Sequence, residues 1–202
     1  LLNSLEIAKK DISKIKVVVN GAGAAAMSCS KLYLALGVKK ENLVMLDSKG
    51  VIRNNREGLE GNKEFFATNR RCETLEDAMK NADVFLGLSV ANIVSKEMIQ
   101  SMSKRPIVFA LANPDPEISY NEAMSSRDDI IMATGRSDHP NQVNNVLGFP
   151  YIFRGAMDVR ATEINENMKL AAVKAIANLA KETVLDEVSL AYDDNTLSFG
   201  PE

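Results

Sequence analysis

Short apolar runs alternate with helical patterns along most of the chain. Five of these runs are apolar at nearly every position, which is typical of strands that are covered on both faces in a parallel sheet. We therefore predict an α/β fold with a doubly wound, mostly parallel sheet of about five or six strands and helices on both faces. The five predicted strands cover residues 16–19, 43–46, 83–89, 107–112 and 130–134.

Helices are predicted between and after these strands. Residues 24–36 are rich in alanine and leucine and stop at Gly37, a residue type that is common just beyond a helix. Thr74 and Ser95 are expected to cap the N-termini of two further helices. Residues 163–181 contain neither glycine nor proline and place their apolar side chains on one helical face. The polar residues between the second and third strands predict a solvated connection.

Composition and charge exclude several functional classes. Hydrophobic residues make up 46% and charged residues 25% of the 202 residues, as in globular proteins. The net charge of −3 argues against nucleic-acid binding, and no apolar run reaches the roughly 20 residues of a membrane span. One histidine and two cysteines predict no zinc site. Free thiols are typical of a cytoplasmic protein.

The most informative segment is the glycine-rich turn after the first predicted strand. Residues 21–26 form a G-x-G-x-x-A pattern at a strand–helix junction. In this pattern Gly21 allows the sharp turn, Gly23 lets a pyrophosphate approach the backbone, and the small Ala26 lets the helix pack closely. The pattern predicts a Rossmann-like dinucleotide site at the start of the helix. The predicted cofactor-binding residues are Gly21, Ala22, Gly23, Ala24 and Ala25.

An acidic residue at the end of the second predicted strand supports this interpretation. Asp47 lies 21 residues after Ala26, where this fold places a carboxylate against the adenosine ribose. Its charge would repel a 2′-phosphate and favours NAD. Lys49, Arg53 and Arg56 could offset that charge, so NADP remains possible.

Polar residues directly follow the later predicted strands, where open α/β sheets bind their ligands. Ser89 follows the third strand and is a further candidate for cofactor binding. Asn113 follows the fourth strand, and its amide could hydrogen-bond a carboxamide or a hydroxy acid, or could only form a turn. Asn144 and Asn145 precede an apolar run and could begin a helix beside the cleft, or simply cap it.

Four longer motifs resemble malic enzymes, most closely the short bacterial-type form. They are VVVNGAGAAA (residues 17–26), LDSKGVI (46–52), FALANPDPEI (109–118) and ATGRSDHPNQVNNVLGFPYIFRGAMDVRAT (133–162). The resemblance covers nearly the whole chain, and the last two motifs are the most specific. It implies a domain that binds NAD or NADP for the oxidative decarboxylation of L-malate to pyruvate and CO₂.

The resemblance also implies residue roles. Residues 22–25 would cover the pyrophosphate, and Asp47 would meet the adenosine ribose. Asn113 would lie by the nicotinamide and the substrate, and Asn144 or Asn145 would reach the malate side of the cleft. The turn that ends at Asn92 lacks the glycine usual in this family, although asparagine tolerates a positive φ better than most residues.

By the same resemblance, most of the chemistry lies outside this chain. Malic enzymes use a tyrosine acid, a lysine base and a carboxylate-bound Mg²⁺ or Mn²⁺, all upstream of the matching segment. We therefore expect no catalytic residue and no metal ligand here. The chain is expected to be an NAD(P)-binding domain over residues 1–202, cut at both ends, with an initial helix in 1–15 and a C-terminal helical region in 163–192.

The expected fragment binds dinucleotide but does not turn over malate alone. Its expected partners are L-malate and pyruvate, a missing N-terminal catalytic domain and a second copy in a homodimer, with neither nucleic acid nor membrane. Two alternatives stay open. The chain could be the cofactor domain of another two-domain NAD-dependent dehydrogenase, or a non-catalytic nucleotide-sensing module.

Overall fold

The computed structural model describes residues 1–185 and 189–190. The chain divides into two compact units, which we call the sheet unit (Ala8–Asn144) and the helical unit (Leu1–Ile7 with the chain from Asn145 onward). The expected arrangement as one domain over 1–202 stays a prediction. The last part of the expected helical region, at 186–188 and 191–192, and the chain end lie outside the described residues. In the described ranges no helix is long and apolar enough to cross a membrane.

Six strands form the sheet, and their order is β3-β2-β1-β4-β5-β6. All neighbouring strands are parallel except β3, which runs antiparallel to β2. This confirms the predicted mostly parallel sheet, and each of the five predicted strands is present within two residues of its expected ends. The strands are β1 (Val17–Asn20), β2 (Leu43–Asp47), β3 (Gly50–Val51), β4 (Val84–Gly87), β5 (Ile107–Ala110) and β6 (Ile131–Thr134).

The expected helix caps are present. Thr74 accepts a hydrogen bond from the Asp77 N–H, and Asp77 returns one to the Thr74 backbone, which forms a complete capping box. Ser95 likewise accepts from the Met98 N–H. The helices are α1 (Leu2–Ala8), α2 (Ala24–Ala35), α3 (Asn62–Phe65), α4 (Leu75–Met79), α5 (Lys96–Ser101), α6 (Tyr120–Ser126), α7 (Phe149–Asp158) and α8 (Glu166–Leu179), with 3-10 turns at Lys40–Asn42 and Asn145–Leu147.

One row of side chains shows why the continuous apolar runs form this sheet. Val18 pairs in register with Val44 and Phe85, Phe85 pairs with Val108, and Val108 pairs with Met132. All five side chains are buried in one cluster, where each fully buried one contributes about 1.5–3 kcal/mol of hydrophobic stabilisation. Helices α4, α5 and α6 add Met79, Ile99 and Ala123 to this cluster.

The polar segment between β2 and α4 is packed, which corrects the expectation of a solvated connection. Ile52 is fully buried and Phe66 nearly so. A parallel bridge joins Arg53 to Thr68, and the segment also carries β3 and α3. This mostly polar stretch is thus folded back onto the sheet, with Ile52 and Phe66 buried.

Both edges of the sheet are covered by the chain itself. On the β2 edge, β3 pairs with Leu46 and Asp47, and the Ile52 N–H donates to the Met45 carbonyl at 2.9 Å. On the β6 edge, the Val143 N–H donates to the Thr134 carbonyl at 2.8 Å. The Asn141 side chain also donates to the Met132 carbonyl, at 3.1 Å.

The helical unit contains α1, α7 and α8. The Asn3 side chain donates to the Ala177 carbonyl at 3.0 Å, and Lys181 forms an ion pair with Glu6, so α1 is held along α8. Helix α8 confirms the helix predicted over residues 163–181, and Asn165 caps it. Helix α7 leaves several large apolar side chains exposed, namely Phe149, Tyr151, Phe153 and Met157.

Candidate functional site

The parallel strands of the sheet unit all end at one level. Asn20 pairs in register with Leu46 and Gly87, Gly87 pairs with Ala110, and Ala110 pairs with Thr134. The strand order changes direction between β1 and β4. Open α/β sheets bind ligands outside the carboxyl ends of their strands at such a point. We call this row of strand ends, with the loops that follow it, the strand-end edge.

Gly21 makes the turn out of β1. Its φ is 120°, and a Cβ there would lie 2.4 Å from the Leu88 carbonyl oxygen, so a side chain has no room. The Gly21 N–H donates to the Leu46 carbonyl at 2.9 Å, and the Leu88 N–H donates to the Asn20 carbonyl at 2.8 Å. The turn is therefore fixed to both neighbouring strands, as the sequence pattern predicted.

Gly23 serves a different purpose, at the start of α2. It is the N-cap residue, it provides no side-chain cap, and a Cβ there would meet nothing within 4 Å. Gly23, Ala24 and Ala25 are exposed, whereas Ala26 is buried against the sheet. The first-turn N–H groups of a helix have no partner within the helix and carry the positive end of its dipole. With Ala22 half-buried beside them, they form an open cradle that fits a phosphate.

Asp47, at the end of β2, is the centre of a charged cluster. Its Oδ2 accepts from Arg56 Nη2 at 2.6 Å and from Lys63 Nζ at 2.9 Å. Its Oδ1 accepts from the Lys49 N–H at 2.9 Å. Burial acts to raise the pKa of this carboxyl, but the hydrogen bonds from the two cations and the backbone outweigh it and hold the pKa well below its usual range. Asp47 is thus an ionised and already paired carboxylate.

Not every basic residue named from the sequence joins this cluster. Arg56 does, but Arg53 pairs with Glu73 at 3.2 Å instead. Lys63, on α3, was missed. It lies 16 residues beyond Asp47 in a segment without a periodic pattern, so only the fold brings it there.

Ser89 follows β4 and lies in a chain of hydrogen bonds. Asn20 Nδ2 donates to Ser89 Oγ at 2.5 Å, and Ser89 Oγ donates to Glu117 Oε1 at 3.3 Å. The Ser89 N–H also donates to Glu117 Oε1, at 3.0 Å. A hydroxyl has one donor and two lone pairs. Both donors of Ser89 are therefore used, and its hydroxyl can act only as an acceptor for a ligand.

Glu117 is the main residue that the sequence reasoning missed. Its side chain is fully buried, and its Oε2 accepts from the Ala112 N–H at 3.0 Å. A Cβ on Gly87 would lie 2.3 Å from the Glu117 carboxyl carbon. The glycine that ends β4 is therefore required by this carboxylate. In the sequence, Glu117 looks like one more polar residue of a proline-rich turn.

Asn113 is exposed and directly follows Ala112 at the end of the β5 segment. Asn92 adopts the expected positive φ, 58°, which replaces the glycine of the family turn. Asn144 is the last residue of the sheet unit and Asn145 the first of the 3-10 turn in the helical unit, and both are exposed. Their predicted roles stay predictions. In the described part of the chain, no group of three or more His, Cys, Asp or Glu side chains could hold a metal ion.

Comparison with known proteins decides which kind of dinucleotide site this is. Residues 1–193 match the protein family described as "Malic enzyme, NAD binding domain". The chain belongs to this family. This confirms the resemblance seen in the motifs and does not favour another dehydrogenase or a sensing module.

Curated relatives in this family use both cofactors. The NADP-dependent malic enzyme of Halomonas elongata is 56% identical over 200 residues, which cover 99% of this chain and 47% of that protein. The NADP-dependent malic enzyme of Escherichia coli (strain K12) is 51% identical, over 100% of this chain and 27% of that protein. The NAD-dependent malic enzyme of Rhizobium meliloti (strain 1021) is 48% identical, over 100% and 26%. The chain thus spans between a quarter and a half of the length of these relatives.

Solved structures of the family share the fold. Malic enzyme from Pyrococcus horikoshii superposes with a TM-score of 0.83 at 38% identity, over 90% of this chain and 44% of that one. The NAD-dependent malic enzyme from Thermotoga maritima gives a TM-score of 0.79 at 39% identity, over 100% and 51%. The predicted Rossmann-like fold is confirmed.

Proposed function

We propose that this chain holds the cofactor in an NAD(P)-dependent malic enzyme that converts L-malate to pyruvate and CO₂. The observation that carries the proposal is the strand-end edge, where the open cradle before α2 lies beside the paired Asp47, in a chain of the malic enzyme NAD-binding family. When bound, the nicotinamide accepts a hydride from C2 of malate. The chain's own residues bind the cofactor and orient it.

Each predicted residue has a place in this proposal. The N–H groups over residues 22–25 hold the pyrophosphate, and Gly21 fixes that turn. Asp47 lies by the adenosine ribose. The Ser89 hydroxyl accepts a hydrogen bond from the cofactor, and the Asn113 amide orients nicotinamide and substrate. Asn144 and Asn145 reach the malate side.

The remaining chemistry belongs to the full-length enzyme in this proposal. A tyrosine acid, a lysine base and carboxylates that hold Mg²⁺ or Mn²⁺ would come from a separate catalytic domain. The metal would act as a Lewis acid on the keto acid formed from malate. A cytoplasmic homodimer is proposed as the working assembly.

The charged cluster supports NADP as well as NAD, and we propose that NADP binds more tightly. The sequence argument favoured NAD from the Asp47 charge but left NADP open, because Lys49, Arg53 and Arg56 could offset that charge. In the structure two cations, Arg56 and Lys63, face this one carboxylate. Arg56 Nη1 is buried and has no hydrogen-bond partner among the described residues. Two cations beside one carboxylate leave a net positive charge at this position, which suits a phosphate.

Calorimetric titration of the folded 202-residue chain with NAD⁺ and NADP⁺ tests the proposal. We expect one site per chain. Gly23→Asp should weaken binding by about 100-fold or more, because a carboxylate would occupy and repel the pyrophosphate site. Its fold should survive, because a Cβ at Gly23 meets nothing within 4 Å.

Gln100→Glu is the matched control for this titration. It adds the same charge on the exposed side of α5, away from the strand-end edge, and should leave both affinities unchanged. A folded chain that binds neither dinucleotide contradicts the proposal. So does a Gly23→Asp variant with wild-type affinity.

A further inference from the structure

The sheet unit contains a fully buried carboxylate, Glu117, and among the described residues every group that donates a hydrogen bond to it is neutral. They are the Ser89 N–H, the Ser89 hydroxyl and the Ala112 N–H, at 3.0, 3.3 and 3.0 Å. A buried charge without a cation is costly and is kept only where several hydrogen bonds compensate it. Glu117 also forces a glycine at position 87. Such a residue is a poor choice for stability alone, so a role beyond packing is indicated.

The position of the carboxylate suggests that role. The last ladder bond between the β4 and β5 segments runs from the Leu111 N–H to the Gly87 carbonyl, at 3.1 Å. The Ser89 N–H and the Ala112 N–H lie beyond it on the two segments. Glu117 takes the first on Oε1 and the second on Oε2. One side chain therefore continues the connection between two strands where their own pairing has ended.

The backbone beside Glu117 holds the same loop. The Pro116 carbonyl accepts from the Asn92 N–H at 3.1 Å, and the Glu117 carbonyl accepts from the Val94 N–H at 3.0 Å. The loop after β4 is thus held at Ser89, Asn92 and Val94 by two consecutive residues. The exposed Asn113 directly follows Ala112, whose N–H the same carboxylate holds.

We propose that Glu117 is a positioning residue for the nicotinamide end of the cofactor. Its carboxylate fixes Ser89 and the backbone that carries Asn113 in one relative arrangement, so that both meet the nicotinamide together. Glu117 acts through these two residues and does not itself contact the cofactor. The inference rests on the proposed function. The turn of the cradle before α2 is held by the backbone bonds of Gly21 and Leu88, which do not include the Glu117 carboxylate, and Glu117 reaches it only through the Ser89–Asn20 hydrogen bond.

The test compares a dinucleotide with its fragment that lacks nicotinamide. The full chain is titrated with NAD⁺ and ADP-ribose, and with NADP⁺ and 2′-phospho-ADP-ribose. Glu117→Gln keeps the shape but turns an NH₂ group towards a backbone N–H. We expect it to weaken binding of the dinucleotides about tenfold, the size typical of a lost buried hydrogen bond, with fragment affinity within about twofold of wild type.

Two further variants make the result decisive. Glu122→Gln applies the same substitution to an exposed glutamate of α6 and should change neither affinity. Should Glu117→Gln fail to fold, Glu117→Asp keeps the charge but is too short to reach both strand ends. It should show the same selective loss.

The outcomes separate this inference from the proposed function. A wild-type chain that binds no dinucleotide overturns both. If the wild-type chain binds dinucleotide, two results overturn the inference alone. One is that the Glu117 variants keep full dinucleotide affinity, and the other is that their affinities for dinucleotide and fragment fall by the same factor. A loss confined to the dinucleotides supports it.

Discussion

The two sides of the strand-end edge are built by different means. The β1–β2 side comprises the turn at residues 21–25 and the cluster of Asp47, Arg56 and Lys63. It relies on backbone conformation and on a partly buried charged cluster, in which the side chains of Lys63, Arg56 and Asp47 are 42%, 20% and 9% exposed. The β4–β5 side comprises Ser89, Asn113 and Glu117 and depends on one fully buried carboxylate. We therefore expect substitutions on the β1–β2 side to change ligand preference with little loss of folding stability, whereas substitutions on the β4–β5 side should reduce that stability.

The largest expected effect is on folding stability, and it should differ between two glycines, one from each side. Gly87→Ala would place a Cβ 2.3 Å from the Glu117 carboxyl carbon, so the buried carboxylate must move. We expect the free energy of unfolding to fall by about 3 kcal/mol. Gly23→Ala adds a Cβ in open space and should change it by less than about 0.5 kcal/mol. Urea unfolding measures the free energy of unfolding of both variants. Equal changes in the two would contradict the expected difference between the two sides.

A smaller effect is expected on cofactor preference. Arg56→Gln removes one of the two cations at Asp47, and should lower the ratio of NADP⁺ to NAD⁺ affinity about tenfold, equivalent to about 1.4 kcal/mol. Arg53→Gln is the control, because Arg53 pairs with Glu73 and not with Asp47. Calorimetry on the two variants measures the ratio. The same shift in both would mean that overall charge, and not the cluster, sets the preference.

The smallest expected effect is that of salt. Raising the ionic strength from about 0.05 to 0.5 M shortens the screening length to a few ångströms. We expect the NADP⁺ to NAD⁺ affinity ratio to fall about threefold, because the cluster is partly exposed. A ratio that does not change with salt would contradict the assignment of the NADP⁺ preference to this cluster.

Features set by neighbouring residues were predictable from the sequence. The strand runs, the Thr74 and Ser95 caps and the turn at Gly21 depend on residues a few positions apart, and each was confirmed. The pairing of Asp47 was not predictable in the same way. Arg56 was named as one of three candidate partners. The segment that carries it folds back with Phe66 and Ile52 buried, and in that arrangement Arg56 reaches the Asp47 carboxylate whereas Arg53 does not.

Glu117 was hidden for a related reason. A glutamate between proline and isoleucine in a turn is usually solvated, and nothing local marks it as buried. The available signal was Gly87, a glycine inside an otherwise apolar strand, which often marks a close approach by another group. The approaching group lies 30 residues away in the sequence, so the glycine indicated a close contact but not which residue makes it.

The covered edges of the sheet have a consequence for how copies of this chain can associate. An open edge strand is a template to which a second polypeptide can add by backbone hydrogen bonding. Here β3 and the Ile52 N–H occupy one edge, and Asn141 and Val143 occupy the other. Two copies therefore cannot join their sheets into one continuous sheet without first displacing these segments. Any association of copies through the sheet unit would therefore use side-chain surfaces and not added strands.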